Sequence, residues 1–252
     1  MSDPAFHESP HLFSDDEAPA QALQSGGRLP SYIRDHRARL RDRFLTAGAH
    51  ALADYEMLEL ILFRAIPRRD VKPLTRALLD SFHDFNGVLT APPDRLSRIN
   101  GVGPAVICEL KVVEAAAQRL ARSRVIKRDV VSSWQALLDY CHATMAHGEV
   151  EHFRVLYLDQ KNNVLADEEQ ARGTVNHVPV YPREVVKRAL DLNASALILV
   201  HNHPSGDPSP SPADIDMTEQ IERACATMGL VLHDHLIIGR SREISFRADG
   251  YL

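Results

Sequence analysis

The sequence predicts a protein of the α+β or α/β class, in which an all-helical region precedes a mixed β-sheet flanked by helices. Apolar residues recur at helical spacings up to about residue 127, whereas strand-like and helix-like patterns alternate after it. The length of 252 residues is sufficient for two domains with a core each. With 44% hydrophobic and 25% charged residues, the composition excludes a wholly disordered or collagen-like chain.

The distribution of charge divides the chain into three segments. Residues 1–27 hold five acidic residues and no Lys or Arg, residues 28–127 hold 18 Lys and Arg against 11 acidic residues, and residues 128–252 hold 11 against 18. The first segment mixes Pro, Ser and acidic residues without periodicity, which predicts a disordered acidic tail. The basic excess of the second segment would suit a polyanion such as nucleic acid, although surface arginines often serve solvation alone.

The sequence also indicates where the protein functions. The longest apolar stretch, residues 194–200, is far shorter than the roughly 20 residues that a membrane-spanning helix needs. The acidic, proline-containing start lacks the basic and apolar parts of a secretory signal. We therefore expect a cytoplasmic protein without membrane contact. The three cysteines, Cys108, Cys141 and Cys225, form no CxxC pair, so we expect buried free thiols and no thiolate metal site.

The predicted helical region contains one recognisable motif. Short helices are expected on either side of Gly48, at about residues 72–82 and from Pro93. In LSRINGVGPAVICEL a helix is expected to end at Asn100, turn through Gly101-Val102-Gly103 and restart at Pro104. This pattern resembles a helix-hairpin-helix, whose turn directs backbone N–H groups at DNA phosphates without reading bases. Any pair of antiparallel helices needs a turn, however, so a purely structural connection is the alternative.

The second region alternates between strands and helices. Ser132 or Ser133 is expected to cap a helix that continues to about residue 146, and a hairpin of two strands follows at residues 151–158 and 164–170. A helix from Pro182 leads to a buried strand at residues 196–200. Residues 212–228 predict another helix, which Gly229 ends. Strands at residues 230–238 and 244–246 complete the predicted sheet.

The residues best suited to chemistry lie in HNHPSGDPSPSPAD. His201 and His203 follow a hydrophobic strand two residues apart, so both side chains project to one side if the strand continues. Asp214, in the first turn of the next helix, could supply an oxygen ligand. Two imidazoles, a carboxylate and an open position are typical of catalytic zinc. In the alternative interpretation the histidines bind no metal, and Ser211 and Asp214 form only a helix-capping box.

The combination of His201-Asn202-His203-Pro204 with Ser211 and Asp214 resembles the zinc signature of the JAB/MPN+ (JAMM) metallopeptidases. HNHPSG and the downstream DHLIIG are similar to the bacterial RadC-like branch, and the resemblance covers residues 28–252. Asn202 stands where the wider family has Ser or Thr. The resemblance implies Zn2+ held by His201, His203 and Asp214.

The resemblance also implies hydrolysis of a peptide or isopeptide bond. Glu151, at the start of a strand, would be the general base, with Glu149 as the alternative. Ser211 would donate a hydrogen bond to the oxyanion. His177, His233 and His235 could be partners of the zinc ligands, but packing roles are favoured for them.

The sequence also leaves other functions open. In one alternative the protein is a DNA-associated, repair-linked adaptor in which zinc only stabilises the sheet domain, and Gly101, Val102 and Gly103 bind DNA without sequence specificity. A zinc deaminase is disfavoured because its HxE and PCxxC motifs are absent from the sequence.

Overall fold

The computed structural model describes residues 31–126, 128–130, 132–173 and 180–252. The predicted tail at residues 1–27 and the candidate His177 lie outside these ranges. Within them, a helical region precedes a mixed sheet with helices on both faces, which confirms the predicted fold class. No helix in the described ranges is long and apolar enough to span a membrane.

The helical region has a core of its own. Its elements are α1 (Ser31–Ala47), a short 3-10 helix (Ala49–Ala51), α2 (Asp54–Ala65), α3 (Lys72–Phe82), α4 (Phe85–Thr90), α5 (Pro93–Leu96) and α6 (Pro104–Ser123). The apolar faces of these helices meet in one cluster, whose fully buried members include Leu58, Leu62, Leu78, Leu96 and Leu110. This cluster stabilises the region by removing apolar surface from water.

The predicted hairpin begins earlier than the sequence pattern indicates. Helix α5 ends at Leu96, so the prediction that it continues to Asn100 is wrong. The backbone instead closes successive i to i+3 hydrogen bonds, from Ile99 N to Leu96 O at 3.1 Å and from Val102 N to Ile99 O at 3.0 Å. Gly101 then takes a φ of 91°, in the region that favours glycine. The predicted restart at Pro104 is confirmed.

The sheet domain contains α7 (Trp134–Met145), β1 (His152–Leu158), β2 (Val164–Arg172), α8 (Pro182–Asp191), β3 (Ala196–Asn202), α9 (Pro212–Thr227), β4 (Val231–Ile238) and β5 (Glu243–Ser245). In the described residues the strands have the order β2-β1-β3-β4-β5. Strands β3 and β4 are parallel, and the other neighbouring pairs are antiparallel. Helix α9 connects the two parallel strands, as a crossover requires.

Alternation along β3 gives the sheet two apolar faces. Ala196, Ile198 and Val200 pack on the face covered by α7. Leu197 and Leu199 pack on the opposite face, with α8 and α9. Every residue of β3 is buried, as the apolar run at residues 196–200 predicts, and the burial extends to the polar His201 and Asn202. By the same alternation His201 follows Leu197 and Leu199, and its side chain is therefore directed toward α9.

The cysteines depart from expectation in one case. Cys141 and Cys225 are buried free thiols, as predicted, and burial raises the pKa of Cys225 to about 11. Cys108 is exposed, so the expectation of burial is wrong for it. It lies on α6 between the buried Val106 and Leu110, on a side of the helix that the core does not cover.

Candidate metal centre

The structure brings His201, His203 and Asp214 together at the end of β3. His201 is fully buried beneath α9, His203 follows the last residue of the strand, and Asp214 lies in the first turn of α9. Nε2 of His201 is 3.0 Å from Nε2 of His203 and 3.3 Å from Oδ1 of Asp214. Nε2 of His203 is 3.5 Å from Oδ2 of Asp214. The strand ends before His203, but the backbone hydrogen bond from His203 N to Ile238 O, 3.1 Å long, keeps it beside β4.

These distances fit a tetrahedral metal ion. Ligand atoms bound at 2.0–2.1 Å to tetrahedral zinc lie about 3.3 Å from one another. One candidate atom from each of the three side chains lies within 4.8 Å of the others. Two imidazole nitrogens and one carboxylate oxygen are also a donor set that zinc accepts, and three protein ligands leave a position open. The chemistry and spacing of the residues therefore fit the metal that the family resemblance implies.

The protonation states of His201 and Asp214 suit metal binding. Burial lowers the pKa of His201 to about 4. Burial alone would raise the pKa of Asp214, but its contacts with His203, His201 and Ser211 hold that pKa well below its usual range. His201 is therefore neutral and Asp214 ionised near pH 7, the states in which both coordinate a cation.

The second nitrogen of His203 has a partner that fixes its tautomer. Nδ1 of His203 is 2.8 Å from the backbone O of Asp207. A carbonyl oxygen only accepts hydrogen bonds, so Nδ1 must carry the proton and donate it. In the neutral ring, Nε2 then presents its lone pair to the centre.

Ser211 fixes the position of Asp214. Its backbone N–H and its hydroxyl both donate to Oδ2 of Asp214, at 2.7 and 2.6 Å, while the backbone N–H of Asp214 donates to the Ser211 hydroxyl at 3.2 Å. The predicted capping box at the start of α9 is confirmed. The hydroxyl proton of Ser211 is already donated to Asp214. The hydroxyl would therefore have to rotate before it could donate to an oxyanion.

Glu151 lies directly before β1, at the sheet edge that carries the histidines. The hydrogen bond with Asp214 is the main cause that raises the pKa of His203, and the nearby charge of Glu151 raises it further. The alternative residue, Glu149, forms an ion pair with Arg95 of the helical region instead. Of the two glutamates, Glu151 is the one whose charge acts on the centre.

Asn202 holds the backbone on both sides of Glu151. Its Oδ1 accepts the backbone N–H of His152 at 2.9 Å, and its Nδ2 donates to the backbone O of Val150 at 3.1 Å. Asn202 is almost completely buried on the face of the sheet opposite to His201. A side-chain amide mimics the pairing of a neighbouring strand here, which a Ser or Thr hydroxyl could reproduce only in part.

The other candidate histidines have different surroundings. Nε2 of His233 is 2.7 Å from Oδ1 of Asn162, so His233 serves the turn between β1 and β2. His235 contacts the centre directly, because its Nε2 is 2.8 Å from Nδ1 of His201. The packing role that the sequence favours for His235 therefore omits its hydrogen bond with His201. Sequence reasoning missed its further partner Thr218, although Thr218 stands four residues after Asp214 on the same face of α9.

A polar cavity of about 210 Å³ lies beside the loop that carries His203. Pro204 and Arg240 of the sheet domain line it, together with His83 and Arg95 of the helical region. Both regions of the chain thus form the surface next to the centre.

The fold and the donor set define a JAB-type α+β domain with a candidate metal centre. Comparison with protein families gives the same class: residues 131–251 match the RadC-like JAB domain. Residues 34–108 match the UPF0758 N-terminal domain. The two matches lie in the sheet domain and the helical region respectively.

Whole-chain relatives extend this result. A UPF0758 protein of Ruegeria pomeroyi, SPO0054, is 72% identical over 224 residues, which are 89% of this chain and 100% of the relative. A UPF0758 protein of Rhodobacter capsulatus is 72% identical over 213 residues, 84% of this chain and 100% of that relative. The chain belongs to the UPF0758 family of proteins with a RadC-like JAB domain.

Proposed function

We propose that this protein is a zinc-dependent hydrolase of the JAMM type that cleaves a peptide or isopeptide bond in a protein or peptide substrate. The convergence of His201, His203 and Asp214, with a carboxylate at Glu151 beside them, is the observation that carries the proposal. The low pKa of His201 and the fixed tautomer of His203 support it, since both leave lone pairs for a cation.

Glu151 and Ser211 have separate roles in the proposed reaction. Zinc, when bound, supplies Lewis acidity that lowers the pKa of water and polarises a carbonyl oxygen. The Glu151 carboxylate takes the proton of the attacking water while the new C–O bond forms. Glu151 then gives this proton to the amine nitrogen as the C–N bond breaks. Ser211, after its hydroxyl turns from Asp214, donates a hydrogen bond to the oxyanion.

The Glu151→Gln variant tests this assignment. We expect it to bind as much zinc as the wild type, because Glu151 is not a ligand, and to lose at least about 100-fold in turnover, as expected without a general base. Glu149→Gln is the matched control, because Glu149 forms an ion pair with Arg95 instead of acting on the centre. This variant should keep the wild-type activity. Zinc content and cleavage of a broad peptide and isopeptide set are measured together. Retained turnover in Glu151→Gln, or a zinc-loaded wild type that cleaves nothing, would contradict the proposal.

A DNA-associated adaptor with a catalytically idle JAB domain is the second candidate function. A Cβ at Gly103 would meet nothing within 4 Å, and its φ of −108° suits other residues, so the fold does not require glycine there. Close approach of a phosphate to the start of α6 would require it, and Gly101 and Val102 form the adjoining turn. Gly103→Val should then fold normally and weaken the salt-dependent binding of duplex DNA. Equal binding by both proteins, or none by the wild type, would remove this candidate.

We also propose that the protein functions in the cytoplasm. The sequence has no CxxC pair, and Cys141 and Cys225 are buried free thiols. Both observations support this location, because reduced thiols persist there.

A further inference from the structure

A chain of buried hydrogen bonds runs from the backbone of α9 to His201. The Thr218 hydroxyl oxygen is 2.6 Å from the backbone O of Asp214 and 2.6 Å from Nδ1 of His235. Nε2 of His235 is 2.8 Å from Nδ1 of His201. His235 and His201 are completely buried, and Thr218 nearly so. No water is needed to connect these groups, because each is in direct hydrogen-bond contact with the next.

The direction of every proton in this chain follows from its first member. The backbone O of Asp214 only accepts, so the single hydroxyl proton of Thr218 must point to it. The hydroxyl oxygen therefore accepts a hydrogen bond from Nδ1–H of His235. A neutral His235 then has a lone pair at Nε2, which accepts from Nδ1–H of His201. His201 is left with its lone pair at Nε2, the atom that faces His203 and Asp214.

Hydrogen bonds donated in the opposite direction, from Thr218 toward His201, would be incompatible with a bound metal. If Thr218 donated to Nδ1 of His235, then His235 would donate to His201, and Nε2 of His201 would carry a proton into the centre. The contact of 2.6 Å between the Thr218 hydroxyl and the Asp214 carbonyl would also lack a proton, which is unfavourable for two buried oxygens. The carbonyl of Asp214 thus decides between the two arrangements.

We infer that Thr218 and His235 are positioning residues, which hold His201 in the Nδ1–H tautomer and so prepare its Nε2 to bind the metal. The inference rests on the zinc site of the proposed function but not on its catalytic activity. Aromatic packing supports the geometry, because Phe153 stacks on His201 and Phe246 packs on His235, with ring centroids 6.0 and 4.6 Å apart respectively. These contacts restrict rotation of the two imidazoles.

The tautomer can be measured without activity. In long-range 1H–15N correlation spectra of the metal-free wild type, assigned with single His→Gln variants, His201 should show a protonated Nδ1 and an unprotonated Nε2. A protonated Nε2 at His201 would overturn the inference. This measurement needs no substitution at Thr218, so it stands even if a variant does not fold.

Substitutions at Thr218 then test the origin of the tautomer. Thr218→Val has nearly the same shape but no hydroxyl, so His235 loses its acceptor, and we expect the zinc dissociation constant to rise about 10- to 100-fold. Thr218→Ser keeps the hydroxyl and should restore both the affinity and the His201 spectrum. A Thr218→Val variant that folds, binds zinc as tightly as the wild type and keeps the same tautomer would refute the role of Thr218. Inactivity of the zinc-loaded wild type would count against the proposed hydrolase and leave this result unchanged.

Discussion

Burial at the candidate metal centre makes the metal-free protein sensitive to acid. The pKa of a histidine in an unfolded chain is about 6.5, whereas burial lowers that of His201 to about 4. Between these values the unfolded state binds more protons than the native state, so the free energy of unfolding falls as the pH decreases. His203 acts in the opposite direction, because its hydrogen bond with Asp214 raises its pKa.

We therefore expect the buried imidazole of His201 to remove about 2 kcal/mol of stability between pH 7 and pH 5. Chemical denaturation of the metal-free wild type at both pH values measures the loss. His201→Gln has no imidazole at this position, so its stability should fall less over the same interval. Equal losses in the two proteins would contradict the explanation.

Asn202 allows a separate test of how Glu151 is held. Asn202→Ala leaves the backbone of Val150 and His152 without their side-chain partners, which should cost about 1–3 kcal/mol of stability. Zinc affinity should change little, because Asn202 faces away from the ligands. The turnover of the proposed hydrolase should decrease through poorer placement of Glu151. Weaker zinc binding, with normal turnover once the variant is saturated with zinc, would show that Asn202 acts on the ligands instead.

At the residue scale, the sequence could predict the three ligand candidates and the Ser211 partner of Asp214, but not the hydrogen-bond partners of His201. Two histidines after an apolar strand and an aspartate in the first turn of a helix give a local signal. His235 comes from a parallel strand, and only the register that places it opposite Leu199 brings it to His201. Thr218 resembles any helical threonine until that strand is in place.

At the scale of the elements, a buried polar cluster joins α7 to the β1-β2 hairpin. Asp167 on β2 accepts hydrogen bonds from the Tyr140 hydroxyl on α7 and from Nε of Arg154 on β1, the latter at 2.9 Å. The Asp167 side chain is only 1% exposed, and that of Arg154 is 23% exposed. Loss of Asp167 is costly, because the buried Tyr140 hydroxyl loses its acceptor and Arg154 keeps only its longer contact with Glu169, at 3.9 Å.

Replacement of Asp167 should consequently be one of the more damaging changes in the sheet domain. We expect Asp167→Ala to lower the free energy of unfolding by about 3 kcal/mol, as for a buried pair that loses one partner. Glu168→Ala, at the next position, breaks an ion pair with Arg188 that is partly open to solvent and should cost less than about 1 kcal/mol. Denaturant titrations of both variants decide the matter. Similar losses would show that burial does not control the contribution of these pairs.

The start of α9 and the end of α5 differ in how well the sequence predicts them. The capping box of α9 was predictable, since Ser211 and Asp214 have the required spacing and chemistry. The end of α5 was not, because Ser97, Arg98 and Ile99 suit a helix but tighten into i to i+3 turns as the chain approaches Gly101. Apolar periodicity records which residues are buried and is insensitive to such a change in winding.

At the scale of the whole molecule, α6 connects the two regions as part of both. Its first turns contribute Val106 and Leu110 to the helical core. Ala121 near its end and Val125 just beyond it pack with α7 and the sheet. The two-region organisation follows from composition and periodicity. The placement of Arg95 against Glu149 next to the candidate metal centre does not follow from them, because it depends on how the regions face each other.

The zinc content of the purified protein is the most direct test of whether His201, His203 and Asp214 form a metal centre. After equilibration with buffered zinc and removal of the excess, the wild type should hold one zinc ion per chain. His203→Ala should hold much less, with the fold verified by circular dichroism, because one of three protein ligands is gone. A wild type that retains no zinc, or a His203→Ala variant that retains all of it, would contradict the assignment of His201, His203 and Asp214 as a metal centre.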